Sequence, residues 1–189
     1  SLAARTRHGK QRPCSVCGLA KRHVMNASAS PFGYDVLVTG HNLDDEASVL
    51  FGNSLSWSVD LLRRQAPVLE EAPGLSRKVK PLCRFYERET AAYALLQGIE
   101  YIYDECPFAE GNHTLYYKEV LNRLESERPG AKYHYYMAFL NARKNGLFAP
   151  QPEETGGEMH RCPVCGQPTT SPDRCAFCRL IEKENLQQE

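Results

Sequence analysis

Residues 36–47 read Val-Leu-Val-Thr-Gly-His-Asn-Leu-Asp-Asp-Glu-Ala, and this stretch decides the fold class. The short apolar run that ends at Gly40 predicts a buried strand followed by a turn. The three acidic residues at 44–46 favour a helix N-terminus, because carboxylates stabilise the positive end of the helix dipole. Apolar residues then recur at helical spacing up to Leu55. We therefore predict a strand, a turn and a helix over residues 36–57.

The same alternation continues along the first 148 residues. Periodicity and helix breakers predict further helices at 84–97, 114–127 and 131–145, the last ended by Gly146, and strands at 79–82 and 99–103. Strands that alternate with helices imply an α/β domain with a parallel sheet. Ligands bind beyond the carboxyl ends of such strands, where we expect both residues 40–42 and residues 104–106.

A chain of 189 residues suits one medium-sized domain and a small module. We predict a catalytic domain at 1–148, a linker at 149–159, a zinc ribbon at 160–180 and a polar tail at 181–189. No segment reaches the roughly 18 apolar residues of a membrane span. The spacing of the cysteine pairs favours thiolate ligands in a reducing cytoplasm over disulfides.

Charge is unevenly distributed although the net charge is zero. The first carboxylate is Asp35, and the segment before it carries six cationic side chains, namely Arg5, Arg7, Lys10, Arg12, Lys21 and Arg22. Such a basic arm is typical of a phosphate-binding or RNA-binding surface. A solvated chain end without a partner would have the same composition.

The C-terminal cysteines form two C-x-x-C pairs separated by nine residues: Cys162, Cys165, Cys175 and Cys178. Each pair directs two thiolates at one ion, and four sulfur ligands close the coordination shell of Zn²⁺. A closed site of this kind contributes folding energy rather than chemistry. We therefore predict a structural zinc ribbon.

A third C-x-x-C pair, Cys14 and Cys17, lies near the N-terminus, and Cys106 is its expected partner. Three cysteines leave one metal corner open, which is typical of sites that do chemistry. Spacing alone leaves other interpretations open: the pair could be half of another zinc site or a redox pair, and Cys106 an inert thiol, as we expect for Cys83.

Residues 40–46 place polar groups between a predicted strand and a helix N-terminus, which suits a nucleotide. Asp44 or Asp45 could hold Mg²⁺ or transfer a proton. The alternative is an ordinary acidic helix cap.

Taken together, these strings resemble the tRNA thiolation enzymes. The matching segments are Pro13-Cys14-Ser-Val-Cys17-Gly18, Lys21-Arg22, Thr39 to Ala47, Lys80-Pro81-Leu82, Glu105-Cys106-Pro107, Glu125-Ser-Glu127 and the terminal ribbon. The ribbon favours the 2-thiouridine (TtuA-like) type over the 2-thiocytidine type.

The resemblance implies a partial, Rossmann-like ATP-pyrophosphatase core and specific site residues. Cys14, Cys17 and Cys106 would hold a [4Fe–4S] cluster. Lys21 and Asp45 match catalytic residues of the family, and Cys14 and Cys106 would take part in sulfur transfer. Gly40, His41 and Asn42, with Asp45, would face ATP and Mg²⁺. Lys80 would touch phosphate.

The implied reaction is an ATP-dependent tRNA sulfurtransferase reaction. ATP would adenylate the C2 oxygen of a uridine, expected in the T-loop, and sulfide from the cluster would displace AMP. The implied partners are tRNA and a ubiquitin-like sulfur carrier with a C-terminal thiocarboxylate, and the family allows a homodimer. No membrane partner is expected.

The chain departs from the family in lacking the pyrophosphatase loop, Ser-Gly-Gly-Lys-Asp-Ser, which we expect upstream of Ser1. Without its backbone N–H groups the ATP phosphates lose their main contacts, so we predict that residues 1–189 alone are inactive. Three alternatives stay open: a zinc-dependent tRNA-binding module, a cluster-free persulfide thiotransferase, and an adenylating enzyme with another acceptor.

Overall fold

The computed structural model describes residues 13–29, 32–102, 104, 106–109, 111–148 and 159–186. The basic residues Arg5, Arg7, Lys10 and Arg12 lie outside the described residues, as do Glu105 and nearly all of the predicted linker. The elements, in chain order, are α1 (Pro13–Ala29), β1 (Val36–Val38), α2 (Leu43–Leu55), α3 (Val59–Arg64), β2 (Val68–Leu69), β3 (Arg77–Val79), α4 (Glu87–Leu96), α5 (His113–Glu127), α6 (Ala131–Lys144), β4 (His160–Arg161), β5 (Pro168–Thr169) and α7 (Ala176–Leu186).

The chain divides into two compact units. The first comprises residues 1–37, 70–78 and 152–189, and the second comprises residues 38–69 and 79–151. These units differ from the domain bounds that the sequence predicts, and the helix α7 extends into the predicted tail. Within the described residues, no helix combines the length and apolar character needed to cross a bilayer.

The strands are short and form a mixed α/β arrangement with the helices. β1, β3 and β2 form a three-stranded sheet in that order, and β4 pairs antiparallel with β5. The strand predicted at 36–39 is confirmed, but it is not buried, since Val36 and Val38 are 40% and 60% exposed. An apolar run predicts that a strand forms; it cannot tell how many layers cover it.

The helix predicted after Gly40 is confirmed as α2. Its cap is local: the Asn42 side chain accepts from the Asp45 N–H at 3.0 Å, and the Asp45 carboxylate accepts from the Asn42 N–H at 3.1 Å. This capping box satisfies two backbone donors that a helix N-terminus otherwise leaves without partners.

The strand predicted at 99–103 is wrong over its described part. Residues 99–102 have no strand structure, and Ile102 is 87% exposed. A strand needs a hydrogen-bonded neighbour as well as an apolar pattern, and these residues pair with none of the described strands.

The helices predicted at 114–127 and 131–145 are confirmed as α5 and α6 within a residue at each end. Gly146 ends α6 with φ of 87°, a left-handed conformation that favours glycine. Its N–H bonds to the Arg143 carbonyl, and the Leu147 N–H bonds to the Ala142 carbonyl. This pair of bonds is the Schellman motif.

The core of the second unit is formed mainly by α2, α3 and α6. Its buried apolar residues are Leu43, Leu50, Leu62, Cys83 and Tyr136, with partly buried aromatic rings such as Tyr86 and Phe139 packed around them. Leu43 and Leu50 are seven residues apart, so they lie on the same face of α2. The same helix therefore buries this face and leaves its capped N-terminus beside residues 40–42.

Candidate functional site: a four-cysteine centre, a cysteine helix and a polar turn

The four C-terminal cysteines form a metal site. Their sulfur atoms all lie within 4.8 Å of one another, and the Cys165 and Cys175 sulfurs are 3.7 Å apart. Tetrahedral zinc with Zn–S bonds of about 2.3 Å would place two sulfurs roughly 3.8 Å apart, so the spacing fits. Gly166, at φ of 72°, makes the turn after the first pair.

Backbone N–H groups point at these sulfurs. The Cys175 N–H donates to the Cys162 sulfur at 3.4 Å, and the Cys178 N–H donates to the Cys175 sulfur at 3.4 Å. The hydrogen bond from Cys175 is the main cause that lowers the pKa of Cys162 to about 6. Burial raises the pKa of Cys165 and that of Cys178. A bound cation would offset this desolvation by stabilising all four thiolates.

The module packs on α1 within the first unit. The rings of His23 and Phe177 stack with centroids 3.9 Å apart and planes at 16°. The Gln167 side chain donates from Nε2 to the His23 carbonyl at 2.9 Å. Burial lowers the pKa of His23, which favours a neutral ring in this stack. The four-cysteine module therefore supports the helix that carries the N-terminal cysteines.

Cys14, Cys17 and Lys21 all lie on α1. Spacings of three and four residues put them on one face of the helix. Cys14 and Lys21 are exposed and Cys17 is half-buried. The N-terminus of a helix also stabilises nearby negative charge, and thiolate ligands carry such a charge. This face is compatible with the predicted cluster and catalytic lysine.

The predicted nucleotide-facing turn lies at the N-terminus of α2. Gly40 and His41 are exposed, and His41 Nδ1 is 2.9 Å from the Thr39 hydroxyl. Asn42 is buried, and it is the N-cap of α2. The helix-cap interpretation of this sequence is thus correct for Asn42 and Asp45, whatever further role they have.

Asp45 has a partner that the sequence did not indicate. Its Oδ1 lies 2.8 Å from Nζ of Lys118 on α5, and Lys118 also contacts Glu87 at 3.0 Å. Burial alone would lower the pKa of Lys118, but these two carboxylates raise it on balance. Lys118 therefore stays a cation and holds the Asp45 carboxylate in place. No local motif marks a residue 73 positions away.

The acids on either side of Asp45 are buried and paired. Asp44 is bound by Nζ of Lys132, and it accepts the Glu87 N–H at 2.7 Å. Glu46 lies 2.7 Å from Nζ of Lys80 and accepts the Tyr136 hydroxyl at 3.3 Å. The three consecutive acids thus have separate cationic partners, and only Asp45 is partly accessible. Lys80, expected at phosphate, here neutralises a buried carboxylate.

Cys106 is exposed and lines a cleft of about 840 Å³ formed with the first turns of α5. It belongs to the second unit with Asp45, whereas Cys14, Cys17 and Lys21 belong to the first. The three-cysteine cluster therefore stays a prediction. All eight cysteines lie in the described part of the chain, and none forms a disulfide.

No known protein-family profile matches the chain. The tRNA-5-methyluridine(54) 2-sulfurtransferase of Pyrococcus horikoshii is 46% identical over 177 residues, which are 93% of this chain and 56% of the relative. The protein of the same name from Thermus thermophilus is 48% identical over 169 residues, 88% of this chain and 50% of the relative. The chain thus spans about half the length of the curated relatives it matches.

The fold has a solved counterpart. The structure of the U34-tRNA thiolase NcsA from Methanococcus maripaludis, with its [4Fe-4S] cluster, superposes with a TM-score of 0.70 at 23% identity. The match covers 94% of this chain and 55% of that chain. At this identity the likeness establishes the fold, and the sulfurtransferase relatives establish the kinship. Over most of its length the chain is similar to the TtuA-type tRNA 2-sulfurtransferases, and it corresponds to about half of their length.

Proposed function

We propose that the protein of which this chain is part replaces the C2 oxygen of uridine 54 in the tRNA T-loop with sulfur, using ATP. The observation that carries this proposal is the 46% identity to a tRNA-5-methyluridine(54) 2-sulfurtransferase over 93% of the chain. The proposed scaffold is a Rossmann-like ATP-pyrophosphatase core, which the mixed arrangement of strands and helices in the described residues supports.

The proposed reaction has two steps. The C2 oxygen attacks the α-phosphorus of ATP, pyrophosphate leaves, and the N3 proton is lost. Hydrosulfide (HS⁻) then attacks C2 and its proton passes to N3. The C–O bond breaks and AMP leaves with the original oxygen, so that a C2=S bond replaces C2=O. Adenylation is required because a carbonyl oxygen is a poor leaving group.

Residues of this chain have roles in both steps. Gly40 and His41 at the exposed turn, with Asn42 behind them, would face the nucleotide. Asp45 would hold Mg²⁺ or accept a proton, which its partial exposure and its contact with Lys118 support. Lys21 on α1 would stabilise developing phosphate charge.

Cys14, Cys17 and Cys106 would hold a [4Fe–4S] cluster, with Cys14 and Cys106 closest to sulfur transfer. The donor set fits, because iron–sulfur clusters are bound by thiolates and none of these three thiols is oxidised to a disulfide. When bound, the cluster would supply an iron with an open position for sulfide. The C-terminal cysteines would hold Zn²⁺ in a closed structural site.

The further partners follow from the resemblance alone. We expect a cytoplasmic protein, a ubiquitin-like carrier that delivers sulfur as a thiocarboxylate, and a homodimer as an allowed assembly. The inactivity of residues 1–189 by themselves also stays a prediction.

The test is tRNA thiolation by the protein at the full length of its relatives, purified without oxygen and supplied with ATP, Mg²⁺ and sulfide. Mass spectrometry of tRNA nucleosides measures the 2-thio product. We expect product from wild type, none from Cys106→Ala, and near wild-type amounts from the matched control Cys83→Ala. Thiolation that survives in Cys106→Ala would contradict the cysteine assignment. Salt-sensitive tRNA binding without any product would favour an RNA-binding module instead.

A further inference from the structure

The cleft beside Cys106 has a lining that the reaction described above does not use. Apart from Cys106, its described lining includes Asn112, His113, Tyr116, Tyr117 and Glu119, all at or in the first two turns of α5. Its volume of about 840 Å³ lies within the roughly 300–1,000 Å³ typical of small-molecule sites. The cleft thus has room for a nucleotide at an exposed cysteine.

The charges of the lining select against phosphate. Among the described lining residues, Glu119 is a carboxylate and there is no lysine or arginine. A triphosphate would be repelled by Glu119, and the described lining offers it no lysine or arginine as a counter-charge. A neutral ring with hydrogen-bonding edges suits the same surface.

The ring of Tyr117 is held in place by α2. Tyr117 packs edge-on against Phe51 with centroids 5.6 Å apart. It also lies so close to the backbone of α2 that a Cβ on Gly52 would be 2.8 Å from its Cε2 atom. His113 stands perpendicular to Tyr117 at 6.3 Å. Tyr117, with His113 against it, therefore forms the base of the cleft.

Tyr116 differs from Tyr117 in being 63% exposed, although its centroid is only 6.1 Å from that of its neighbour. An exposed ring beside a fixed one is a stacking surface. Proteins that recognise single-stranded RNA stack unpaired bases on such rings. The edge groups are also suitable: Asn112 uses its Oδ1 to cap α5 at the Thr114 N–H, which leaves its Nδ2 amide as the donating group.

We propose that this cleft binds the target uracil base of the RNA, stacked on Tyr116 and brought to Cys106. The proposal rests on the proposed function for the identity of the base. Uracil presents carbonyl acceptors and one N3–H donor, which the amide of Asn112 and the carboxylate of Glu119 can match. Tyr116 then binds the base by stacking, and the rings of His113 and Tyr117 exclude water around the base.

The first test is photocrosslinking of the full-length protein with a tRNA transcript that carries 5-iodouridine at position 54. Peptide mapping by mass spectrometry locates the crosslink without relying on turnover. A crosslink within residues 106–119 supports the cleft. Crosslinks exclusively elsewhere overturn it, even where thiolation proceeds. If the crosslink maps to the cleft but the protein never forms 2-thiouridine, the base-binding site is supported and the proposed function is refuted.

The second test compares two exposed tyrosines on different helices. Tyr116→Ala should raise the KM for tRNA by about tenfold, the range of one lost stacking contact, with kcat little changed. Tyr116→Phe should restore the wild-type KM because the ring remains. Tyr93→Ala, at a residue 62% exposed on α4 and outside the cleft lining, is the matched control and should have no effect. An unchanged KM in Tyr116→Ala would refute the stacking role.

Discussion

At the scale of single residues, the chain uses consecutive acids for different purposes. Asp44 and Glu46 are buried and neutralised by Lys132 and Lys80, whereas Asp45 is half-buried and bound by Lys118. Helical geometry separates the three carboxylates by about 100° each, so each faces a different neighbour. A buried carboxylate without a cation is costly, so Lys132 on α6 and Lys80 after β3 each offset the cost of burying one carboxylate of α2.

Lys132→Met should destabilise the protein strongly, because it leaves Asp44 buried without its cation. Removing one partner of a buried ion pair costs about 3–5 kcal/mol. Urea unfolding measures the change. The control is Asp60→Asn, which removes a partner that is 84% exposed in its ion pair with Arg63 and should cost less than about 1 kcal/mol. Equal losses from the two variants would show that burial of the Asp44 pair does not matter.

At the scale of elements, helix α6 begins without a cap of its own. Its N-cap is Gly130, which has no side chain to accept a bond. Glu125, from the end of α5, accepts the Gly130 N–H at 2.6 Å, the Lys132 N–H at 2.8 Å and the Tyr86 hydroxyl at 3.0 Å. The negative charge of this carboxylate also interacts favourably with the dipole at the N-terminus of α6. One buried side chain therefore joins the end of α5 to the first turn of α6.

Glu125→Gln should cost about 1.5–3 kcal/mol at neutral pH, since hydrogen bonds to a charged acceptor are lost and an amide N–H meets backbone donors. Burial would raise the pKa of Glu125, but bonds from Lys132, Gly130 and Tyr86 lower it on balance from its ordinary 4.5. This stabilisation is therefore complete above pH 4.5 and is lost as the pH falls through the folded-state pKa.

Unfolding of wild type and Glu125→Gln across the acid range checks the sign of this effect. The difference in unfolding free energy should be largest at neutral pH and should narrow in acid. Glu127→Gln, two residues further at an exposed position, should show neither effect. A difference that stays constant with pH would contradict the account of Glu125.

At the scale of the whole molecule, the metal module and the cysteine helix form one unit, and the capped turn and Cys106 belong to another. Sequence predicts α2, α5 and α6 because their signals are local: a capping box at Asn42 and a glycine at 146. Prediction from sequence fails where a structure or a contact depends on residues far away along the chain. Residues 99–102 lack the strand neighbour that their pattern cannot supply, and Lys118 lies 73 positions from Asp45. The four-cysteine metal site was predictable because the spacing of its cysteines is itself the signal.

Removal of the metal from the four-cysteine site should loosen α1 as well as the module. The stack of His23 on Phe177 and the bond from Gln167 both depend on a folded module. Hydrogen exchange in the presence of a chelator should therefore increase over 160–186 and over 13–29. Amides of α2, α5 and α6, whose core lies in the second unit, are the internal control and should stay protected. Unchanged exchange in α1 would show that the module does not support it.

The most direct test of the central claim is the content of iron, acid-labile sulfide and zinc in full-length protein purified without oxygen. We predict about four irons with matching sulfide and about one zinc per chain. Cys106→Ala should lose the iron and keep the zinc, and Cys175→Ser should lose the zinc. Wild-type protein that binds zinc but no iron, even after anaerobic reconstitution, would contradict the cluster on Cys14, Cys17 and Cys106.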